Sequence, residues 1–99
     1  MKTATPLSDD KLNYAAEMLR LMGHAVRLRI IELLEQHGEL PAGAFHQRLD
    51  EPQPTVSQHL NKMRALGLLR ARRQAGQVFY SVAQPQLFRL LQCVRDCEL

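Results

Sequence analysis

The sequence predicts a mainly α-helical domain with one small β-hairpin. Apolar residues recur at helical spacing over most of the chain, and two strand-like runs stand together near its end. The 99 residues suffice for one domain, residues 1–99, with a small core that a partner chain could enlarge. Hydrophobic residues make up 45% and the mean hydropathy is −0.27, as in soluble globular proteins. No apolar run approaches the roughly 20 residues that a membrane span requires.

Four helices are predicted in the first two thirds of the chain, over residues 9–22, 25–36, 42–49 and 54–66. Ser8 or Asp9 suits the N-cap of the first helix. Pro41 suits the first position of the third helix, and Pro54 that of the fourth. Residues 39–40 form a short extended piece between the second and third helices.

The last third of the chain predicts a hairpin followed by a helix. Residues 68–73 and 77–82 are strand-like and flank Gln74-Ala75-Gly76, where glycine can supply a positive φ. Pro85 begins the last helix, which we expect to run to the C-terminus. The resulting order, α-α-β-α-α-β-β-α, is that of a winged helix-turn-helix, in which the hairpin is the wing.

The most informative segment is residues 53–64, QPTVSQHLNKMR, which predicts a short helix with a narrow apolar stripe. Val56, Leu60 and Met63 recur at i, i+4 and i+7, so they share one side. The opposite side carries Thr55, Gln58, Asn61 and Lys62, flanked by Ser57 and His59. Amides and hydroxyls can donate and accept at base edges, and lysine can pair with phosphate. This face is typical of a helix that lies in a DNA groove.

The charge distribution also favours DNA. The net charge is only +3, but no acidic residue lies between Glu51 and Asp96. The same interval contains Lys62, Arg64, Arg70, Arg72, Arg73, Arg89 and Arg95. A purely basic half of a small protein indicates a polyanionic partner. We therefore expect double-stranded DNA as a partner, and no membrane.

With these segments in hand, the chain resembles the ArsR/SmtB family of bacterial winged-helix repressors over nearly its whole length. The resemblance is carried by LMGHAVRLRI at residues 21–30, QPTVSQHLNKMR at 53–64, LGLL at 66–69 and RRQAGQVFY at 72–80. It implies a homodimer joined by its first and last helices, which binds an inverted repeat and releases it when an effector binds. We do not expect an enzyme, because the two cysteines of the chain have no nearby base or oxyanion donor cluster in the sequence. The family typically has Asp-Pro where this chain has His24-Ala25, and His24 is expected to cap the second helix loosely.

Base and backbone contacts are predicted from the fourth helix and the wing. Gln58 and Asn61 can each grip adenine through two hydrogen bonds. The other predicted contacts are Thr55, Ser57 and His59 to bases, Gln53 at the helix N-terminus, Lys62 to the DNA backbone, and Arg72, Arg73 and Gln77 on the wing. For His59, packing against the wing is an equal alternative, because the residue flanks the apolar stripe. The arginines are expected at phosphates or in the minor groove.

Three effector sites that the resemblance implies are missing from the sequence. Residues 40–44, where some metal sensors carry a Cys-x-Cys run in the third helix, offer no ligand atom. Zinc sensors use carboxylates and imidazoles on the last helix, but this chain has Gln84, Gln86 and Cys97 near those positions, and amides bind zinc poorly. Residues 31–34 lack the second-helix cysteine of the persulfide and redox sensors.

Cys93 and Cys97 remain as candidate sensor residues, since they are the only cysteines of the chain. At i and i+4 of one helix their Cα atoms would lie roughly 6 Å apart. Such a pair could bind arsenite, antimonite or another soft ion, and two pairs could form a four-thiol site across a dimer. Packing and redox sensing are the alternatives.

Other readings of the sequence stay open at this point. A constitutive regulator of the same fold would have the same sequence features. A winged-helix module for protein contacts is an alternative of another class, although the polar face at residues 53–64 lacks the aromatic residues that protein interfaces favour. No secretory signal is visible at residues 1–6, so we expect a cytoplasmic location.

Overall fold

The computed structural model describes residues 4–98, so residues 1–3 and 99 of the predicted domain lie outside it. Five helices and three strands follow one another within these residues, and the predicted order of elements is confirmed. The elements are α1 (Asp9–Met22), α2 (Ala25–His37), β1 (Glu39–Pro41), α3 (Ala42–Leu49), α4 (Gln53–Ala65), β2 (Leu69–Gln74), β3 (Gln77–Val82) and α5 (Gln86–Arg95). In the described part of the chain, no helix is long and apolar enough to cross a membrane.

The first two helices begin at side-chain caps. Ser8 is the N-cap of α1, where its Oγ accepts a hydrogen bond from the backbone N–H of Lys11 at 3.2 Å. His24 is the N-cap of α2, and its Nδ1 accepts from the backbone N–H of Val26 at 3.3 Å. The expectation that His24 replaces an aspartate cap is confirmed. An imidazole can fill this role only while Nδ1 is unprotonated.

Several predicted boundaries differ from the structure by one or more residues, whereas α3 has the predicted range 42–49. The prediction that Pro41 is the first helical residue of α3 is wrong. Pro41 lies in β1 opposite Phe79 and is the N-cap of α3, because its ψ of 150° is extended. Helix α4 begins at Gln53, so Pro54 is its second residue. Helix α5 ends at Arg95 instead of running to the C-terminus. Residues 96–98 are exposed, and the last turn therefore lacks the packing that would prolong it.

The three strands form an antiparallel sheet in the order β1-β3-β2. The hairpin between β2 and β3 turns through two residues, Ala75 and Gly76, whose φ angles are 50° and 78°. Two consecutive positive φ angles match the type I′ turn that suits the twist of a hairpin. Glycine adopts this conformation freely, whereas alanine does so at a cost.

One face of the sheet closes the hydrophobic core. Leu40, Tyr80 and Leu69 are buried on this face, and the opposite face exposes polar side chains. The helices contribute Met22, Ile30, Ile31, Leu33, Leu34, Phe45, Val56, Leu60, Met63, Leu87 and Leu91 to the core. The core therefore fixes α4 and the wing relative to the rest of the domain.

Apolar residues at helical spacing form a stripe along α1, and most of this stripe is not buried. Of Leu12, Ala15, Ala16, Leu19 and Met22, only Met22 is in the core. Leu12 is 48% exposed and Leu19 is 52% exposed. Helical spacing correctly predicts that these residues share a face. Burial also requires a second surface that covers this face, and residues 4–98 of one chain do not provide such a surface.

Candidate nucleic-acid interface

Helix α4 carries the polar face that the sequence predicts. Its apolar stripe of Val56, Leu60 and Met63 is buried, with at most 1% of each side chain exposed. This anchoring turns Gln58 and Asn61 outward, where both are exposed. The other predicted contacts on this helix divide into exposed Gln53 and Lys62 and half-buried Thr55 and Ser57. The two amides are thus exposed on a helix whose opposite side is packed in the core.

The electrostatics of this surface favour an anion. No carboxylate is present on α4, β2 or β3. Helix α4 also begins without an acid in its first turn, so the partial positive charge of its N-terminus remains available to a phosphate near Gln53. The predicted wing residues Arg73 and Gln77 are exposed beside the hairpin turn.

His59 is turned inward, unlike the other predicted contacts. Its side chain is 8% exposed, and its Nδ1 accepts a hydrogen bond from Nε of Arg27 at 2.9 Å. The ring also stands edge-on to the ring of His24, with 4.6 Å between centroids. Packing is therefore the arrangement found, but the neighbours of His59 belong to the start of α2 and not to the wing. Little of the His59 side chain is therefore accessible to a base.

The surroundings of His59 lower the pKa of its imidazole and so favour the neutral ring. Burial lowers its pKa, and the nearby His24 and Arg27 lower it further; Lys62 acts in the same direction, whereas Glu51 opposes it. Since Nδ1 accepts from Arg27, the ring proton resides on Nε2. A neutral acceptor is what the Arg27 guanidinium requires at this position.

Arg27 is a structural residue of this surface that the sequence did not reveal. Besides its bond to His59, its NH1 donates to the backbone carbonyl of Leu21 at 3.0 Å. One guanidinium therefore joins the end of α1, the start of α2 and the middle of α4. Arg27 lies 32 residues before His59. Helical periodicity gives no signal for a pair at that separation.

Arg72 makes several contacts within the chain. Its Nε donates to Oε2 of Glu39 at 2.7 Å and its NH2 donates to Oε1 at 2.5 Å. Its NH1 donates to the side chain of Gln74, and its guanidinium lies 4.8 Å from the ring centroid of Phe79. The pair with Arg72 holds the pKa of Glu39 below its usual value. The structure therefore places Arg72 against β1, whereas no ion pair of residues 4–98 involves Arg73.

Cys93 and Cys97 are both exposed, but they do not lie on one helix as predicted. Cys93 is in α5, and Cys97 follows the helix end by two residues. The Cys97 thiol donates to the backbone carbonyl of Cys93, with Sγ and O 3.4 Å apart. Within residues 4–98 of one chain, no three or more His, Cys, Asp or Glu side chains are grouped as metal ligands. Residues 4–98 thus offer two thiols and no third donor grouped with them.

A polar, acid-free helix beside a basic hairpin defines the class of this protein as a winged helix-turn-helix transcriptional regulator. A family model described as a helix-turn-helix domain matches residues 22–72. The transcriptional repressor PagR of Bacillus anthracis is 39% identical over 88 residues, which cover 84% of this chain and 88% of PagR. The biofilm growth-associated repressor of Agrobacterium fabrum is 34% identical over 89 residues, covering 90% and 75% of the two chains.

Solved structures give the same result. The crystal structure of PagR superposes with a TM-score of 0.80 at 36% identity, covering 88% of this chain and 99% of PagR. The homodimeric winged helix-turn-helix DNA-binding domain of a possible ArsR-family regulator from Mycobacterium bovis gives a TM-score of 0.76 at 26% identity, covering 96% and 87%. The chain belongs to the ArsR/SmtB-type winged-helix transcriptional regulators. It is thus a DNA-binding repressor by family and not an enzyme.

Proposed function

We propose that the protein is a homodimeric repressor that binds an inverted-repeat operator, with α4 in the major groove and the wing on the flanking backbone. The observation that carries this proposal is the exposed, acid-free face of α4 next to a wing without carboxylates. The major groove is wide enough to admit a helix. A two-fold dimer presents two copies of α4 in opposite orientations, and such a pair matches two inverted half-sites.

Gln58 and Asn61 are proposed as the main base-reading residues. Both are exposed amides on a helix whose opposite face is fixed in the core. Thr55 and Ser57 lie half-buried beside them and are proposed as secondary contacts, and Gln53, Lys62, Arg73 and Gln77 as contacts to the DNA backbone. Amide pairs with adenine contribute sequence preference, whereas cations at phosphates contribute affinity that salt weakens.

The test is fluorescence anisotropy on duplex DNA from upstream of the protein's own gene, with a shuffled duplex of the same composition as the competitor. Gln58→Ala is expected to reduce the preference for the native duplex by about 1–3 kcal/mol, which is the usual range for one bidentate base contact. Gln36→Ala, at an exposed glutamine near the end of α2, is the matched control and should leave the preference unchanged. An unaltered preference in Gln58→Ala, or no preference in the wild type, would contradict the proposal.

A thiol-dependent release of DNA is proposed as the regulation of this repressor. Both thiols are exposed at the end of α5, and Arg95 between them pairs with Glu35 of α2. A soft ion such as arsenite or antimonite that binds both thiols would act at the end of α5, and the Arg95–Glu35 ion pair links that end to α2. In a dimer, thiols from both chains could complete the coordination that two thiols leave short.

Titration of the DNA complex with arsenite under reducing conditions tests this regulation. The wild type is expected to release DNA, and the double variant Cys93→Ser with Cys97→Ser should bind DNA equally well but no longer respond. Full release from the double variant would exclude the thiols as the sensor. Release by an oxidant and not by arsenite would favour redox sensing, and no release by either would favour a constitutive regulator.

A further inference from the structure

We propose that Arg72 positions the wing through a clamp with Glu39 and does not contact DNA, and that Arg73 supplies the wing's charge to the phosphates. This inference rests on the proposed DNA-binding function and deepens it. Arg72 and Arg73 are neighbours that the sequence does not distinguish, and the proposal gives Arg72 a structural role and Arg73 a binding role. The assignment follows from the pleat of the sheet and from the partners of each side chain.

The pleat puts the two arginines on opposite faces of the wing, because successive side chains of a strand alternate. Arg73 stands opposite Val78, on the face where Ala71 and Tyr80 form the next pair towards the core. Arg72 stands opposite Phe79, on the outer face. Arg73 therefore lies on the face of the sheet that packs against the helices, and Arg72 lies on the opposite face.

On the outer face, Arg72 has partners on all three strands of the sheet. Phe79 on β3 lies between Arg72 and Pro41 of β1, and Glu39 precedes Pro41 by two residues on the same face. The guanidinium crosses the Phe79 ring at 4.8 Å and reaches both carboxylate oxygens of Glu39, at 2.7 and 2.5 Å. A two-point pair is the strong geometry for arginine and carboxylate.

Glu39 is the only acidic residue in the three strands, and it neutralises one of their three arginines. An isolated surface ion pair contributes little to stability. Here the guanidinium also contacts an aromatic ring and the Gln74 side chain, so its orientation is fixed from several sides. A phosphate would have to displace a carboxylate already bound at two points. The clamp instead connects β2 to β1, whose Leu40 lies in the core.

The salt dependence of binding to non-specific duplex DNA distinguishes the two roles. Each phosphate contact contributes about 0.9 to the slope of log K against log salt concentration. Arg73→Ala is expected to lower the slope by about 0.9 per protomer, and Arg72→Ala to leave it unchanged. Glu39→Gln is expected to raise it, because Arg72 then becomes available to the DNA. A slope that falls equally in Arg72→Ala and Arg73→Ala would overturn the assignment.

Exchanging the charges of Arg72 and Glu39 tests whether Arg72 positions the wing or contacts a phosphate. This test remains valid even if a single substitution disturbs the structure of the wing. Arg72→Glu alone places two carboxylates together, and we expect at least a tenfold loss of DNA affinity. Adding Glu39→Arg restores opposite charges and is expected to recover most of that loss. If the double variant binds no better than Arg72→Glu alone, Arg72 is a DNA contact and the clamp proposal is wrong.

The contact between Arg72 and Glu39 can also be tested without DNA. A negative result for the clamp can therefore be distinguished from a negative result for the proposed DNA-binding function. Carbon-13 NMR of the Glu39 carboxyl group should give a pKa below the ordinary value in the wild type, because the Arg72 guanidinium stabilises the carboxylate. Arg72→Met should return this pKa to the ordinary range, and Arg73→Met should not. An unchanged Glu39 pKa in Arg72→Met would overturn the clamp, whatever the protein binds.

Discussion

Arg27 connects three helices through a single guanidinium at the back of the proposed DNA surface. Its Nε bonds to His59 in α4 and its NH1 bonds to the last turn of α1, at 2.9 and 3.0 Å. His59 in turn packs edge-on against His24, the N-cap of α2. The orientation of α4 is therefore coupled to the corner between α1 and α2 by polar contacts as well as by the core.

The first prediction concerns acid sensitivity at His59. Its pKa is lowered in the folded protein, mainly by burial, so the folded state binds this proton less readily than the unfolded chain does. The stabilising contribution is present in full above the unfolded pKa of about 6.5 and is lost as the pH falls through the lowered folded value. The free energy of unfolding in urea should therefore decrease between pH 7.5 and 5.5.

His59→Asn isolates this effect, because the asparagine Oδ1 can accept from Arg27 near the position of Nδ1 but does not titrate. We expect its unfolding free energy to decrease less than that of the wild type over the same pH range. His37→Asn, at an exposed histidine, is the control and should follow the wild type. A decrease in His59→Asn as large as that of the wild type would show that the acid sensitivity arises elsewhere.

The second prediction concerns Ala75 in the hairpin turn. Its φ of 50° lies in the left-handed region, where a side chain without a local hydrogen bond is strained. Ala75→Asn creates the Asn-Gly pair that type I′ turns favour, and it should stabilise the protein by about 0.5–1 kcal/mol. Chemical denaturation gives this value directly. Gln77→Asn, at a neighbouring strand position, should give no gain, and an equal gain in both variants would argue against relief of strain.

At the scale of elements, local patterns predict most of the fold. The stripe of Val56, Leu60 and Met63 predicts both the helix and its buried face, because α4 packs against the rest of its own chain. The same kind of pattern in α1 predicts the helix but not its exposure, because no surface formed by residues 4–98 covers Leu12 and Leu19. Periodicity reports which residues share a face, and burial depends on what lies opposite.

The candidate site was less predictable, because its supporting contacts are distant in sequence. Glu39 and Arg72 are 33 residues apart, and they meet only because β3 lies between their strands. Which face of the sheet Arg72 and Arg73 each occupy depends on the register of β2, and the composition of the segment does not specify that register. The exposed amides of α4 needed no such information, since a single amphipathic helix places them.

At the scale of the whole molecule, the third prediction is that dimerisation depends on α1 and α5. Leu12, Tyr14, Leu19 and Val94 are each more than 40% exposed, and a cavity of about 230 Å³ lies between α1 and α5. Fully burying an exposed Leu or Val side chain contributes about 1.5–3 kcal/mol, and covering these half-exposed side chains contributes proportionally less. Leu12→Glu with Leu19→Glu should give a monomer in sedimentation velocity, whereas the wild type should sediment as a dimer.

A control at a polar position is needed, because added negative charge alone can alter association. Gln36→Glu introduces a carboxylate at the exposed end of α2 and should leave the dimer intact. The monomeric variant should keep its helical circular dichroism but lose specific DNA binding, since one α4 then meets only one half-site. A dimer that survives the α1 substitutions would place the interface elsewhere.

The uneven distribution of acids has a consequence for the speed of association. The first 51 residues contain eight acids and six cations, whereas the next 44 contain seven cations and no acid. A molecule with such polarity is turned by the field of DNA while it still diffuses freely, so more encounters begin with the basic half facing the duplex. We expect the association rate constant to fall steeply with ionic strength, because screening removes this alignment before it removes any contact.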